Sequence, residues 1–223
     1  MWNNYFYNIQ KKYSMRVSTK EPLVIRLDGK DVTKNKNIDL INRLDNSFLD
    51  ALEKSVAYFS SLYNCYAIYG SDEVSFIFPE PFKVIEDLSS DKCTSSNEII
   101  SVFSQYFFQY FNHFDKHKIV YWHAKCFSIR EEKLISYIKY RSRIIENVLA
   151  TYFLKHNHIS IGNVNLEEKL NKCKSLENYS SLEKIQKGIL YYNGKEIILN
   201  DFLNGKVTYA KSQNTDDMFS SLL

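Results

Sequence analysis

Apolar and polar residues alternate along 22–28 (PLVIRLD): Leu23, Ile25 and Leu27 point one way, Val24, Arg26 and Asp28 the other, which predicts a strand that Gly29 breaks. Over 38–62 the spacing changes. Ile41, Leu44, Phe48, Leu52, Val56 and Phe59 recur at steps of three and four, the signature of an amphipathic helix. Residues 66–69 and 74–78 read as two strands around GSDE, a hairpin with its acids in or beside the turn, and Pro79 and Pro81 stop the second strand. The polar stretch 84–98 reads as a loop or a short irregular helix. A helix is expected over 97–114, a strand over 118–128 and a long helix over 131–155.

Two side-chain patterns within these elements bear on chemistry. Ile99, Phe103, Tyr106, Phe107, Tyr110 and Phe111 form an aromatic stripe that invites comparison with a base-stacking platform. Helical spacing and the lack of interleaved basic residues favour buried core instead. The stripe of the long helix (Leu134, Ile138, Ile145, Val148, Tyr152) contains Arg141 where leucine would be expected. Such an arginine either snorkels to the surface or reaches a polar cavity. Beyond 160 the pattern predicts a weak helix at 166–174, a strand pair GILYYNGKEIIL turning at Asn-Gly, and a frayed end.

The order β-α-β-β-α-β-α implies an α+β fold, an antiparallel sheet with helices packed on one face. One unit over 1–160, with 161–223 as an extension packing on it, accounts for the pattern. A chain of 223 residues with 44% hydrophobic and 15% aromatic residues can bury a sizeable core. The net charge of +3 does not by itself demand a polyanionic partner. Four well-separated cysteines without a C-x-x-C pair support neither a disulfide framework nor a zinc cluster. No apolar run is long enough to span a bilayer, and the start (MWNNYFYNIQKKYSMR) reads as a short amphipathic helix rather than a secretory signal. A cytoplasmic protein without a membrane partner is the expectation.

The acids then need an explanation. Asp28 at a strand end and Asp72 with Glu73 on a hairpin converge if the strand lies beside the hairpin. Carboxylates held together raise one another's pKa unless a cation sits among them. Hard oxygen ligands suit magnesium, which takes one or two carboxylates plus substrate phosphates. Two such ions serve phosphoryl or nucleotidyl transfer. The Gly29 carbonyl, the amides after it and the Lys30 charge would complete such a site. The bland alternative is an ordinary Asp-Gly turn and an exposed Ser-Asp-Glu hairpin tip.

VIRLDGK at 24–30 followed by YGSDEVSFIF at 69–78 resembles the paired signatures of the tRNA(His) guanylyltransferase family and its like proteins, R-[ILF]-D-G-[RK] and S-D-E-x-S-[FL]-x-F. YWHAKCFSIREEKLISYI, IIENVLATYF and IQKGILYY are softer likenesses in the same order, so that the resemblance spans most of 20–193. It implies a polymerase-palm-like sheet and a divergent like-protein that adds nucleotides to the 5′ end of tRNA or related RNA in the 3′–5′ direction. It implies two magnesium ions on Asp28, Asp72 and the Gly29 carbonyl, with Glu73 as a third catalytic acid. ATP, GTP or another nucleoside triphosphate would lie along Asp28, Gly29, Lys30, Asp31, Val32 and Thr33, with Ser71 and Asp72. Lys125, Arg141 and Asn147 are the implied RNA or triphosphate contacts, and a homo-oligomer, a tetramer, the implied assembly.

Departures from the family pattern accompany the likeness. Gly70 stands where glutamine is usual, His123 and Lys125 replace an aspartate and an arginine, and Thr33 replaces a histidine. The chain is shortened between Thr33 and Asn42. Asn97 and Glu98 stand where basic residues should grip triphosphate, with only Lys92 before them. A nucleotide- or RNA-binding module that kept the fold and lost turnover is therefore the rival reading. Transfer to a different acceptor also stays open, because a palm does not fix the acceptor.

Overall fold

The computed structural model describes residues 16–32, 38–41, 47–89, 95–114 and 121–210. Its elements are β1 (Leu23–Gly29), α1 (Ser47–Leu62), β2 (Tyr66–Gly70), β3 (Glu73–Phe78), α2 (Pro81–Leu88), α3 (Ser96–Phe114), β4 (Trp122–Ser128), α4 (Leu134–His156), α5 (Leu166–Lys174), α6 (Tyr179–Glu183), β5 (Ile189–Tyr192), β6 (Lys195–Ile197) and α7 (Leu199–Leu203). A single 3-10 turn, Glu131–Lys133, leads into α4. The helical start, Leu44, Lys92 and the chain end anticipated from the pattern lie outside the described residues, as do 118–120 of the strand expected over 118–128.

The six strands form one antiparallel sheet in the order β4-β1-β3-β2-β5-β6. Residues directly opposite one another share a face. One face carries Leu23, Ile25 and Leu27 with Phe78, Phe76 and Val74. It packs on α1 and α3, where the Phe76 ring lies within 6.1 Å of Phe59, 5.2 Å of Phe103 and 5.8 Å of Phe107. Ile99, Phe103, Phe107 and Phe111 of the α3 stripe are fully buried core, whereas Tyr106 is 50% exposed and Tyr110 stacks on Tyr58 with ring centroids 4.1 Å apart. β5 and β6 extend the same sheet through the expected Asn193-Gly194 turn, both residues at positive φ.

The α+β architecture with an antiparallel sheet is as the pattern implied, and α1 and α3 share one face. The helical cover is not confined to that face, however. α4 covers part of the other, and its register explains why. Ile138, Arg141, Ser142, Ile145 and Leu149 form its buried side, against the ends of β2 and β3. Arg141 is 5% exposed, so it goes inward rather than snorkelling. Of the two alternatives for the polar stretch after Pro81, helix holds as far as Leu88: Pro81 suits a first helical turn, and Val84, Ile85 and Leu88 make a buried face. Residues 38–41 are not helical, so the helix does not reach back to Ile38 as the periodicity suggested, and α1 is described from Ser47.

The approach of α4 to the sheet depends on Gly70. A Cβ there would lie 2.4 Å from Ile145 Cγ2 and 3.2 Å from the Gly188 Cα. Replacing Gly70 by alanine should cost about 1–3 kcal/mol of overpacking strain. Denaturant unfolding should show Gly70→Ala with Ile145→Ala less destabilised than the sum of the two single changes.

Candidate functional site

β1 lies between β3 and β4, and its register puts Asp28 across from Glu73 on one side and from His123 on the other. Two backbone bonds continue the ladder past the strand end: Gly29 N–H donates to the Asp72 carbonyl at 2.7 Å, and Lys30 N–H to the Tyr121 carbonyl at 2.8 Å. The β2–β3 turn is two residues long, with Ser71 at φ 58°, so it turns tightly and brings Asp72 back toward β1. Asp31, after the Asp-Gly, also has positive φ. Both segments that carry the candidate acids are therefore fixed at one end of the sheet.

Together they line a cavity of about 430 Å3 bounded by Arg26, Asp28, Gly29, Lys30, Asp31, Asp72, His123 and Lys125. Six of the expected site residues meet there: Asp28, Gly29, Lys30, Asp31, Asp72 and Lys125. Ser71 is buried beside it and its hydroxyl donates to Asp72 Oδ1 at 2.9 Å. Val32 is buried in the core, and Thr33 lies outside the described residues. Asn147 is held elsewhere, its Oδ1 accepting from Lys169 Nζ at 2.8 Å, which ties α4 to α5.

Glu73 is paired rather than presented to the cavity. Its Oε2 accepts from Arg26 Nη2 at 3.0 Å and its Oε1 from Arg141 Nη2. Arg26 also donates to Asp28 Oδ2. Arg26 lines the cavity although the pattern left it unassigned; its signal was present, since a two-residue step puts it on the face of Asp28. Tyr137 of α4 completes this layer through its hydroxyl, 3.2 Å from Ser75 Oγ.

Burial raises the Asp72 carboxyl to about 6; the Ser71 hydroxyl opposes this, and the charges of Asp28 and Glu73 add to it. Among the described residues no three metal-binding side chains surround a common point. The candidate donors that line the cavity are the carboxylates of Asp28, Asp31 and Asp72 and the His123 imidazole. Carboxylate oxygens with room for phosphate oxygens and water form a donor set that fits magnesium rather than a dedicated all-protein cage.

The whole architecture is shared with solved structures. A bacterial tRNA(His) guanylyltransferase (Thg1)-like protein in complex with ATP superposes with a TM-score of 0.65 at 12% identity, over 100% of this chain and 97% of that one. A complex of such a protein with GTP gives 0.63 at 13%, over 99% and 96%. The tRNA(His) guanylyltransferase of Saccharomyces cerevisiae gives 0.57 at 17%, over 86% and 94%. No protein-family model and no curated protein matches the sequence. The chain has the fold of the tRNA(His) guanylyltransferases and their like proteins. The likeness is one of fold, over 86–100% of this chain at 12–17% identity.

The raised Asp72 sets a pH dependence. Below about pH 4 the carboxyl is protonated in folded and unfolded chains alike. Between there and about pH 6 only the folded chain keeps the proton, so stability falls as pH rises through this window and the cost persists above it. Asp72→Asn should therefore be near neutral at pH 4 and stabilising by on the order of 2–3 kcal/mol at pH 8, measured by urea unfolding.

Proposed function

We propose that the chain is a magnesium-dependent nucleotidyltransferase of the tRNA(His) guanylyltransferase-like kind, adding nucleotides to the 5′ end of tRNA or related RNA in the 3′–5′ direction, as in 5′-end repair. One observation carries this reading: Asp28 near the end of β1 and Asp72 in the β2–β3 turn open onto a single cavity walled by Lys30 and Lys125. The neighbours in complex with ATP and GTP support triphosphates as substrates.

Asp28, Asp72 and the Gly29 carbonyl would hold magnesium, which when bound neutralises phosphate oxygens and favours ionisation of an attacking hydroxyl. Lys30 and Lys125, both exposed on the wall, meet the triphosphate as point charges. Asp31, with Ser71 behind Asp72, shapes the turns that hold this wall, and Thr33 belongs to the same nucleotide-binding segment. Glu73 acts behind the cavity, where its two arginines keep the charge of the β1–β3 end in order.

By family likeness, a 5′-monophosphate end first attacks the α-phosphorus of ATP and releases pyrophosphate. The 3′-hydroxyl of the incoming nucleotide then attacks the activated end and releases AMP. A 5′-triphosphate end omits the first step. Pairing with the opposite RNA strand selects the base. A homo-oligomer in the cytoplasm completes the reading. No described helix is long and apolar enough to cross a membrane.

The rival, a binding module without turnover, draws on one feature: Asp28 and Glu73 are already occupied by guanidinium groups. Extension of a 5′-truncated tRNA with magnesium, ATP and GTP decides between them. The enzyme reading expects incorporation that falls on the order of 10²–10³-fold in Asp28→Ala and Asp72→Ala. Activity that survives both changes overturns it, and tight triphosphate binding without incorporation on any RNA favours the binding module.

A further inference from the structure

Arg26 holds two acids with different surroundings. Glu73 and Arg141 form an inner pair, their side chains 9% and 6% exposed. Asp28, at 38%, faces the cavity, and Arg26, at 20%, reaches from one to the other with the same Nη2. The antiparallel register produces this arrangement: Asp28 and Glu73 stand opposite, and Arg26 is two residues back on their face. The Asp28 oxygen that accepts from Arg26 belongs to the carboxylate that would hold a cation.

We propose that Arg26 is a positioning residue, a displaceable counter-ion that competes with a divalent cation for Asp28 and stays on Glu73, itself anchored by Arg141, when the cation binds. The inference rests on the metal-dependent reading above. A cation held through Asp28 Oδ2, the oxygen that accepts from Arg26, draws on the same lone pairs as the guanidinium, so binding there costs the Arg26–Asp28 contact. It does not strand a buried charge, because Arg26 retains its bond to Glu73. The penalty is that of one charge-assisted hydrogen bond, roughly tenfold or more in affinity. Glu73 thereby has a role at the site without touching metal or substrate.

The test is manganese binding to the full chain, followed by electron paramagnetic resonance without nucleotide. Wild type is compared with Arg26→Gln, with Arg26→Met (which keeps the aliphatic stem should the first variant fold poorly), with Lys125→Gln and with Asp28→Asn. Lys125 is a cavity cation on the neighbouring strand and reports the effect of merely removing positive charge. The proposal expects manganese binding roughly tenfold tighter in both Arg26 variants, at most about threefold tighter in Lys125→Gln, and lost in Asp28→Asn. It also expects the Arg26 variants to melt below wild type in chelator and to close that gap in saturating magnesium. Arg26 variants that bind no tighter than Lys125→Gln overturn the competition alone, if wild-type binding still depends on Asp28. Absence of binding in every variant, also after a non-hydrolysable triphosphate is added, overturns both this inference and the metal-dependent reading.

Discussion

Asp28 and Glu73 stand directly across an antiparallel ladder, and a two-residue turn adds Asp72 beside them. Three carboxylates at one end of a sheet repel one another, and burial makes each charge more costly. The fold answers with positive charge drawn from two elements: Arg26 from β1 and Arg141 from α4. That neutralisation is what the rest of the molecule must accommodate. α4 has to approach the sheet closely enough to deliver a buried guanidinium, and Gly70 leaves the room for Ile145 that this approach requires. The stability of the sheet end and the chemistry of the cavity thus depend on the same few side chains.

The three acids are not equivalent once paired. Glu73 is saturated by guanidinium groups, Asp28 shares one, and Asp72 receives the Ser71 hydroxyl while burial pushes its carboxyl up to about 6. A division of labour follows from those surroundings. Glu73 stands behind the wall with both oxygens bonded to arginines, while Asp28 and Asp72 line the cavity. The lysines on that wall belong to neighbouring parts of the sheet, so a polyphosphate would span β1 and β4.

Much of this was legible in the chain itself. Period-two alternation located β1, the two short apolar runs around GSDE located β2 and β3, and helical spacing located α3 and α4, each of which buries one side against the sheet. The paired acidic motifs pointed to a shared site, and the register brings their residues to one cavity. What the chain did not reveal is long-range. Arg141 had two possible destinations, and only the packing of α4 on β2 and β3 chose burial on Glu73. The bond from Lys169 of α5 to Asn147 joins two helices and leaves no mark in the local pattern. The helical cover on both faces was equally invisible, since a buried stripe does not say which side of a sheet it meets.

The central claim is that Asp28 and Asp72 share a cation in the cavity where a triphosphate binds. A crystal structure with magnesium and a non-hydrolysable triphosphate tests it most directly. The account predicts cation density about 2.0–2.1 Å from oxygens of both carboxylates, bridged to phosphate oxygens, with Arg26 turned onto Glu73. Phosphates bound elsewhere, or both carboxylates facing solvent with no cation between them, would contradict it.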